Sequence, residues 1–227
     1  NSAKAWSHSN AHLRAQILYY MAENLSARTV EFTNNLQLLT GRADAQIEVE
    51  TSIQRLFFYA AWADKFDGSA RSVPLKAIAL VMNEAIGNCS VICDDRYPLL
   101  GFISAMAPLF ATGNRSIIIP SEPFSPIVTD FYQVLDTSDV PPGTVNILTG
   151  KHTDLALELA SHMDIESVWS FSTSDVSRDI EKASVSNLKR TWVSNGEKRD
   201  WYDEESQGIQ FLTNSIENKT IWIPYGE

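Results

Sequence analysis

Residues 86–122, IGNCSVICDDRYPLLGFISAMAPLFATGNRSIIIPSE, constrain the fold more than any other stretch, because they spell a strand, a helix and a second strand. Residues 89–93 are a short apolar, β-branched run. Residues 99–111 carry apolar side chains at helical spacing up to a Gly113-Asn114 stop, and residues 116–119 are a second β run closed by Pro120. A βαβ unit of this kind forces parallel strands and a right-handed crossover, and ligands of open parallel sheets sit beyond the carboxyl ends of the strands. Here those ends read Asp94-Asp95-Arg96-Tyr97-Pro98 and Pro120-Ser121-Glu122.

The alternation persists downstream. Helices are expected over 125–135, 153–163 and 177–183, and strands over 144–148, 167–171 and 189–193, which together specify an α/β fold with a doubly wound parallel sheet. The first third is helical. Leu13, Ile17, Leu18, Met21 and Leu25 make one apolar stripe, residues 30–39 continue it, and residues 44–67 place Ile47, Ile53, Leu56, Phe57, Ala60 and Trp62 on a broad face. Trp6, Tyr19 and Trp62 read as packing material. Residues 71–85 form an extended β excursion leading into the sheet. At the other end, an acidic stretch over 199–206 precedes two β runs, 209–214 and 219–224, expected to close as a terminal antiparallel hairpin. The organisation is thus a Rossmann-type body over 1–198 and a linker with a hairpin over 199–227.

Of 227 residues 44% are hydrophobic, enough for a substantial core. A net charge of -10 repels phosphate backbones and anionic lipid surfaces, so neither nucleic acid nor a membrane is an expected partner. With no apolar run of spanning length and no leader, the chain reads as cytoplasmic, and opening on Asn1 rather than Met it reads as a piece of something longer. Cys89 and Cys93 share a strand face about 13 Å apart, too far to bond, and read as buried thiols. The sequons at Asn24, Asn88, Asn114 and Asn218 carry little weight without an export signal. His8, His12, His152 and His162 are scattered, so no metal site is expected. Neither G-x-G-x-x-G, a phosphate loop nor G-x-S-x-G occurs. The adjacent acids Asp94 and Asp95 read as a solvated loop.

Three segments resemble the NAD(P)-dependent aldehyde dehydrogenases. Residues 107–114, APLFATGN, resemble that family's helix ending in a Gly-Asn turn; 119–122, IPSE, resemble its Lys-Pro-Ser-Glu; and 141–150, PPGTVNILTG, resemble its Pro-x-Gly-Val-Val-Asn-Val-Val-x-Gly. The resemblance spans nearly the whole chain and implies the nucleotide-binding domain. It departs at the working positions. Asp95-Arg96 stand before Tyr97-Pro98 where the family has Trp-Asn, whose asparagine stabilises an oxyanion. Ile119 replaces a ribose-holding lysine, although Glu122 survives. Phe171-Ser172-Thr173-Ser174 replaces Phe-Thr-Gly-Ser, and Ser194 aligns with the general base.

Beyond Lys198 the catalytic domain with its nucleophilic cysteine is missing, whereas residues 217–224 resemble the family's carboxyl-terminal oligomerisation strand. This is similar to the degenerate second region of the family 16 aldehyde dehydrogenases. The resemblance implies a non-catalytic pseudoenzyme domain, with no catalytic residue and no bound cofactor, that assembles as a homodimer or onto an upstream dehydrogenase region through Ile221, Trp222 and Ile223. The alternatives it leaves are a sensor retaining weak NAD binding at Ser121 and Glu122, as vestiges of the cofactor site, and, more remotely, an active aldehyde oxidoreductase.

Overall fold

The computed structural model describes residues 6–225. From Ala11 onward three helices follow one another: α1 (Ala11–Ala27), α2 (Thr29–Thr40) and α3 (Ala45–Ala63). Asn10 caps α1 by accepting the His12 amide at 2.8 Å, and Gly41 at φ +69 ends α2 in the left-handed conformation that lacks a Cβ penalty. In α1 the buried arc contains Ile17, Leu18, Met21 and Leu25, as their spacing requires, but Leu13 is exposed because the buried arc begins two residues later, at Ala15. In α3 the buried arc runs through Val49, Leu56, Tyr59 and Ala63, and Ile47 falls off it into solvent.

The chain then extends through β1 (Ser69–Ser72) and β2 (Ala77–Ala85) before entering the parallel sheet at β3 (Asn88–Ile92). Next come α4 (Pro98–Ala111), β4 (Arg115–Ile119), the short pair α5 (Pro126–Asp130) and α6 (Tyr132–Thr137), β5 (Val145–Ile147), α7 (His152–Ser161), β6 (Ser167–Ser170), α8 (Ser174–Ser184) and β7 (Arg190–Val193). The five strands run in the order β5-β4-β3-β6-β7 with every pairing parallel. Connections therefore wind outward in both directions from β3, and the crevice between β3 and β6 is the topological switch point where such sheets bind ligands.

Both faces are covered. Cys89, Val91 and Trp169 point into a core shared with α1 to α5, whereas Ile92, Ile119 and Val168 point into a second core under α7 and α8. Helix α4 lies between the sheet and α3 with every residue buried, which explains why its sequence is apolar all round rather than striped. Both cysteines are free and fully buried in the first core.

The end of the chain corrects the sequence-based expectation. Residues 209–214 are not a strand but a short helix, α9 (Ile209–Asn214). Phe211 and Leu212 are consecutive and both fully buried in the same core, which one helical turn permits and a strand, sending neighbours to opposite faces, does not. There is accordingly no local hairpin between 209–214 and 219–224. The terminal strand β8 (Ile216–Pro224) instead runs antiparallel to β2 over nine consecutive pairs, from Ala77 opposite Pro224 to Ala85 opposite Ile216. With β1 on the other side of β2, these strands form a separate three-stranded antiparallel arm. Asn114 fixes its root: its Oδ1 accepts the Gly87 amide at 2.9 Å, and its Nδ2 donates to the Ser215 carbonyl at 2.6 Å.

Candidate functional site

The carboxyl ends of β3, β4, β6 and β7 gather four loops. Asp94 and Asp95, read from sequence as one solvated loop, part company. Asp94 is buried, receiving the Arg96 amide at 2.8 Å, the Arg96 guanidinium at 2.7 Å and the indole N–H of Trp201 at 3.3 Å. Its burial is tolerable because these donors replace its hydration. Asp95 is exposed and accepts the Glu122 amide at 2.9 Å, tying the β3 loop to the β4 loop. Arg96, standing where the oxyanion asparagine is expected, is spent on Asp94 and on the Arg199 carbonyl, 2.8 Å away.

Ser121 and Glu122, the cofactor-binding candidates, are both at the end of β4. Ser121 is buried, its hydroxyl 3.4 Å from the Asp95 carbonyl. One carboxylate oxygen of Glu122 accepts the backbone N–H of His152, so Glu122 caps the amino end of α7 from a neighbouring loop. Ile119, in the position of the ribose lysine, is fully buried in the second core. Thr173 is exposed and caps α8 by accepting the Val176 amide. Ser194 leans back onto the sheet, donating its hydroxyl to the Ser172 carbonyl at 3.3 Å. Gly196, at φ +79, lies so close to the first turn of α8 that an added Cβ would come within 2.9 Å of the Ser174 nitrogen.

After Gly196 the chain wraps the open edge as a strap. Arg199 places its guanidinium within 5.4–5.9 Å of the ring centres of Phe171, Trp192, Trp201 and Phe211, and donates to the Glu205 carbonyl at 3.0 Å. Burial lowers its pKa, and the ring faces supply part of the lost hydration. Trp201 is fully buried and packs on Phe171 with ring centres 5.0 Å apart. From beneath, Arg55 of α3, only 2% exposed, donates to Ser104 Oγ at 3.0 Å and to the carbonyls of Trp201, at 2.9 Å, and Ser206. Between strap and β7 lies a cleft of about 390 Å³ lined by Trp192, Ser194, Asn195, Lys198 and the acids Glu197, Asp203 and Glu205.

Asp95, Ser121 and Glu122 thus meet, as their positions at strand ends require, whereas Asp94 turns away to Arg96 and Trp201. Sequence reasoning missed Arg55, His152 and Arg199. The signals available were an arginine at a core position of a helix and a histidine two residues after Gly150, in the loop that follows β5. Among the described residues no group of three or more His, Cys, Asp or Glu side chains is placed to hold a metal, and no helix is long and apolar enough to cross a membrane.

Comparison with known proteins agrees with this architecture. The chain is 30% identical over 189 residues to omega-crystallin from Enteroctopus dofleini, covering 82% of this chain and 38% of that protein. It is also 30% identical over 227 residues to aldehyde dehydrogenase 1A1 from Mesocricetus auratus, covering 97% and 44%. The crystal structure of PnpE from Pseudomonas sp. WBC-3 superimposes with a TM-score of 0.80 at 27% identity, over 85% of this chain and 41% of that one. The chain therefore spans less than half the length of these relatives. Residues 1–202 match the sequence profile of the aldehyde dehydrogenase family. By that match, and by a doubly wound sheet carrying the expected strand ends, the chain belongs to the aldehyde dehydrogenase family.

Proposed function

We propose that this chain is an assembly module of aldehyde dehydrogenase ancestry that does not itself oxidise aldehydes. The observation that carries the proposal is the three-stranded arm. Ile78, Met82, Ile221, Trp222 and Ile223 are 44, 46, 39, 53 and 46% exposed on it. The outer edges of β1 and β8 have no partner strand among the described residues. Unpaired backbone beside a large apolar surface favours association, and a two-fold dimer is the commonest symmetric solution. The partner is a second copy or an upstream dehydrogenase region.

The working positions support the same reading. Arg96 is engaged by Asp94, Ser194 has no proton affinity for general-base work, and both cysteines are buried with thiol pKa values pushed far up by desolvation. Light scattering is the test. The unmodified chain at tens of micromolar is expected as a dimer and Trp222→Asp as a monomer with native circular dichroism; a monomeric parent chain refutes the proposal. NADH formation from aldehyde and NAD above a heat-killed control would refute its second half.

Weak nucleotide uptake is the alternative, favoured by the likeness to PnpE solved in complex with nicotinamide adenine dinucleotide, at a TM-score of 0.81 and 27% identity. Against it, Glu122 is occupied by the α7 amide and Ile119 offers no charge. Losing one charged hydrogen bond costs roughly 1.5–3 kcal/mol, so a dissociation constant no better than about millimolar is expected by calorimetry. A micromolar constant abolished by Glu122→Ala would favour the sensor instead.

A further inference from the structure

Ser172 and His152 form a pair that the assembly role leaves unused. His152 is 3% exposed and held at both ring nitrogens: Nε2 lies 2.8 Å from the Pro120 carbonyl oxygen, and Nδ1 lies 3.1 Å from Ser172 Oγ. A carbonyl can only accept, so Nε2 carries the hydrogen and Nδ1 turns its lone pair to Ser172, whose hydroxyl donates to it. Glu122 Oε1 stands 4.0 Å from the same Nδ1, close enough to stabilise an imidazolium. The loops after β4 and β6 and the start of α7 thus bring a hydroxyl, an imidazole of fixed tautomer and a carboxylate together at the switch point of the sheet.

Ser172 is not sealed in. It is half-buried and lines a cleft of about 190 Å³ with Asp94, Asp95, Arg96, Thr173 and Lys198. Helix α8 begins two residues later, and among the described residues Thr173 is the side chain that caps its first turn, at the Val176 amide.

We propose that Ser172 is a nucleophile with His152 as its general base, giving this chain an acyl-transfer activity toward small carboxylic esters. Ser172 Oγ attacks the ester carbonyl carbon while its proton passes to His152 Nδ1, forming the Oγ–C bond. The bond to the leaving alcohol oxygen then breaks as Nδ1 returns the proton to it. Water, deprotonated by Nδ1, attacks the acyl-serine, releasing the carboxylic acid and restoring the hydroxyl. No redox partner is needed, and the activity is independent of the assembly role.

The test is active-site labelling of the full chain with a fluorophosphonate, in which the Oγ–P bond forms as fluoride leaves. Peptide mapping is expected to find the adduct on Ser172 in the folded chain, none after unfolding in urea, and none in Ser172→Ala. His152→Gln is expected to slow labelling about a hundredfold, the usual contribution of a general base. The inference is overturned if Ser172 carries no adduct, if folded and unfolded chains label alike, or if His152→Gln with native circular dichroism labels at the parent rate. Should His152→Gln fail to fold, the folded-against-unfolded comparison of the parent chain still decides.

Discussion

Arg55→Met isolates what holds the strap against the body. The guanidinium donates to Ser104 Oγ and to the Trp201 and Ser206 carbonyls, and no carboxylate lies within ion-pairing distance of it among the described residues. Hydrogen bonds from a charged donor contribute about 1.5–3 kcal/mol each, so losing three removes roughly 5–9 kcal/mol. Against that stands the relief of a buried cation. Desolvation lowers the Arg55 pKa to about 10, equivalent to roughly 3 kcal/mol of destabilisation carried by the folded state. Since the folded state binds this proton less tightly, the cost is present in full at neutral pH and is relieved only as pH rises above about 10. The net expectation is a loss of about 2–6 kcal/mol, because Met fills the volume but leaves two buried carbonyls without donors. Urea unfolding followed by tryptophan fluorescence measures it, and limited proteolysis of the parent and variant should show new cuts confined to residues 199–208. A variant as stable as the parent, or more so, would mean that desolvation outweighs the hydrogen bonds, as happens when some buried ions are replaced by apolar groups. That result would refute the reasoning.

Phe211→Ala should cost about 3–5 kcal/mol by thermal or urea unfolding, since the ring is fully buried against Trp169, Phe171, Trp192 and Trp201 and its neighbours cannot collapse into the space. Neither thiol should react with a disulfide reagent in the native chain, and both should react after denaturation; rapid native labelling would contradict the burial of Cys89 and Cys93. Glu48, buried beneath α4 and accepting the Leu99 and Leu100 amides at 3.0 and 3.2 Å, has its pKa raised by desolvation despite those amides and Arg42. A carboxyl that holds its proton more tightly when folded stabilises less as pH rises from its ordinary range through its folded pKa. In Glu48→Gln that stretch of the stability curve, measured by urea titration at stepped pH, should flatten.

The body of the fold was legible because its signals are long and redundant. Helix α4 is apolar over fourteen residues between two β-branched runs and closed by Gly113-Asn114, so type, order and boundaries all agree. Residues 209–214 were misread because IQFLTN is a β-branched and aromatic hexamer too short to show a helical period, and its conformation is decided by four rings from distant segments. Asp94 was misplaced for a related reason. Its partner Arg96 is near in sequence, but the indole that buries it belongs to Trp201. His152 carried no motif, since its partners Pro120 and Ser172 come from two other loops. Local chemistry wrote the strands and helices; the contacts that distinguish this site join residues that no window contains.

The pairing of β2 with β8 sets an order of events during synthesis. Residue 77 waits for residue 224, so β2 leaves the ribosome long before its neighbour exists, and closing so large a loop adds entropic cost and delays the step. Until then β1 and β2 present an apolar edge able to capture another nascent strand. Every chain that stops short of residue 216 keeps that edge bare, which makes it a target for chaperones and proteases. The nine-residue strand β8 is therefore the cover of that edge, and the arm is closed only once β8 has paired along β2.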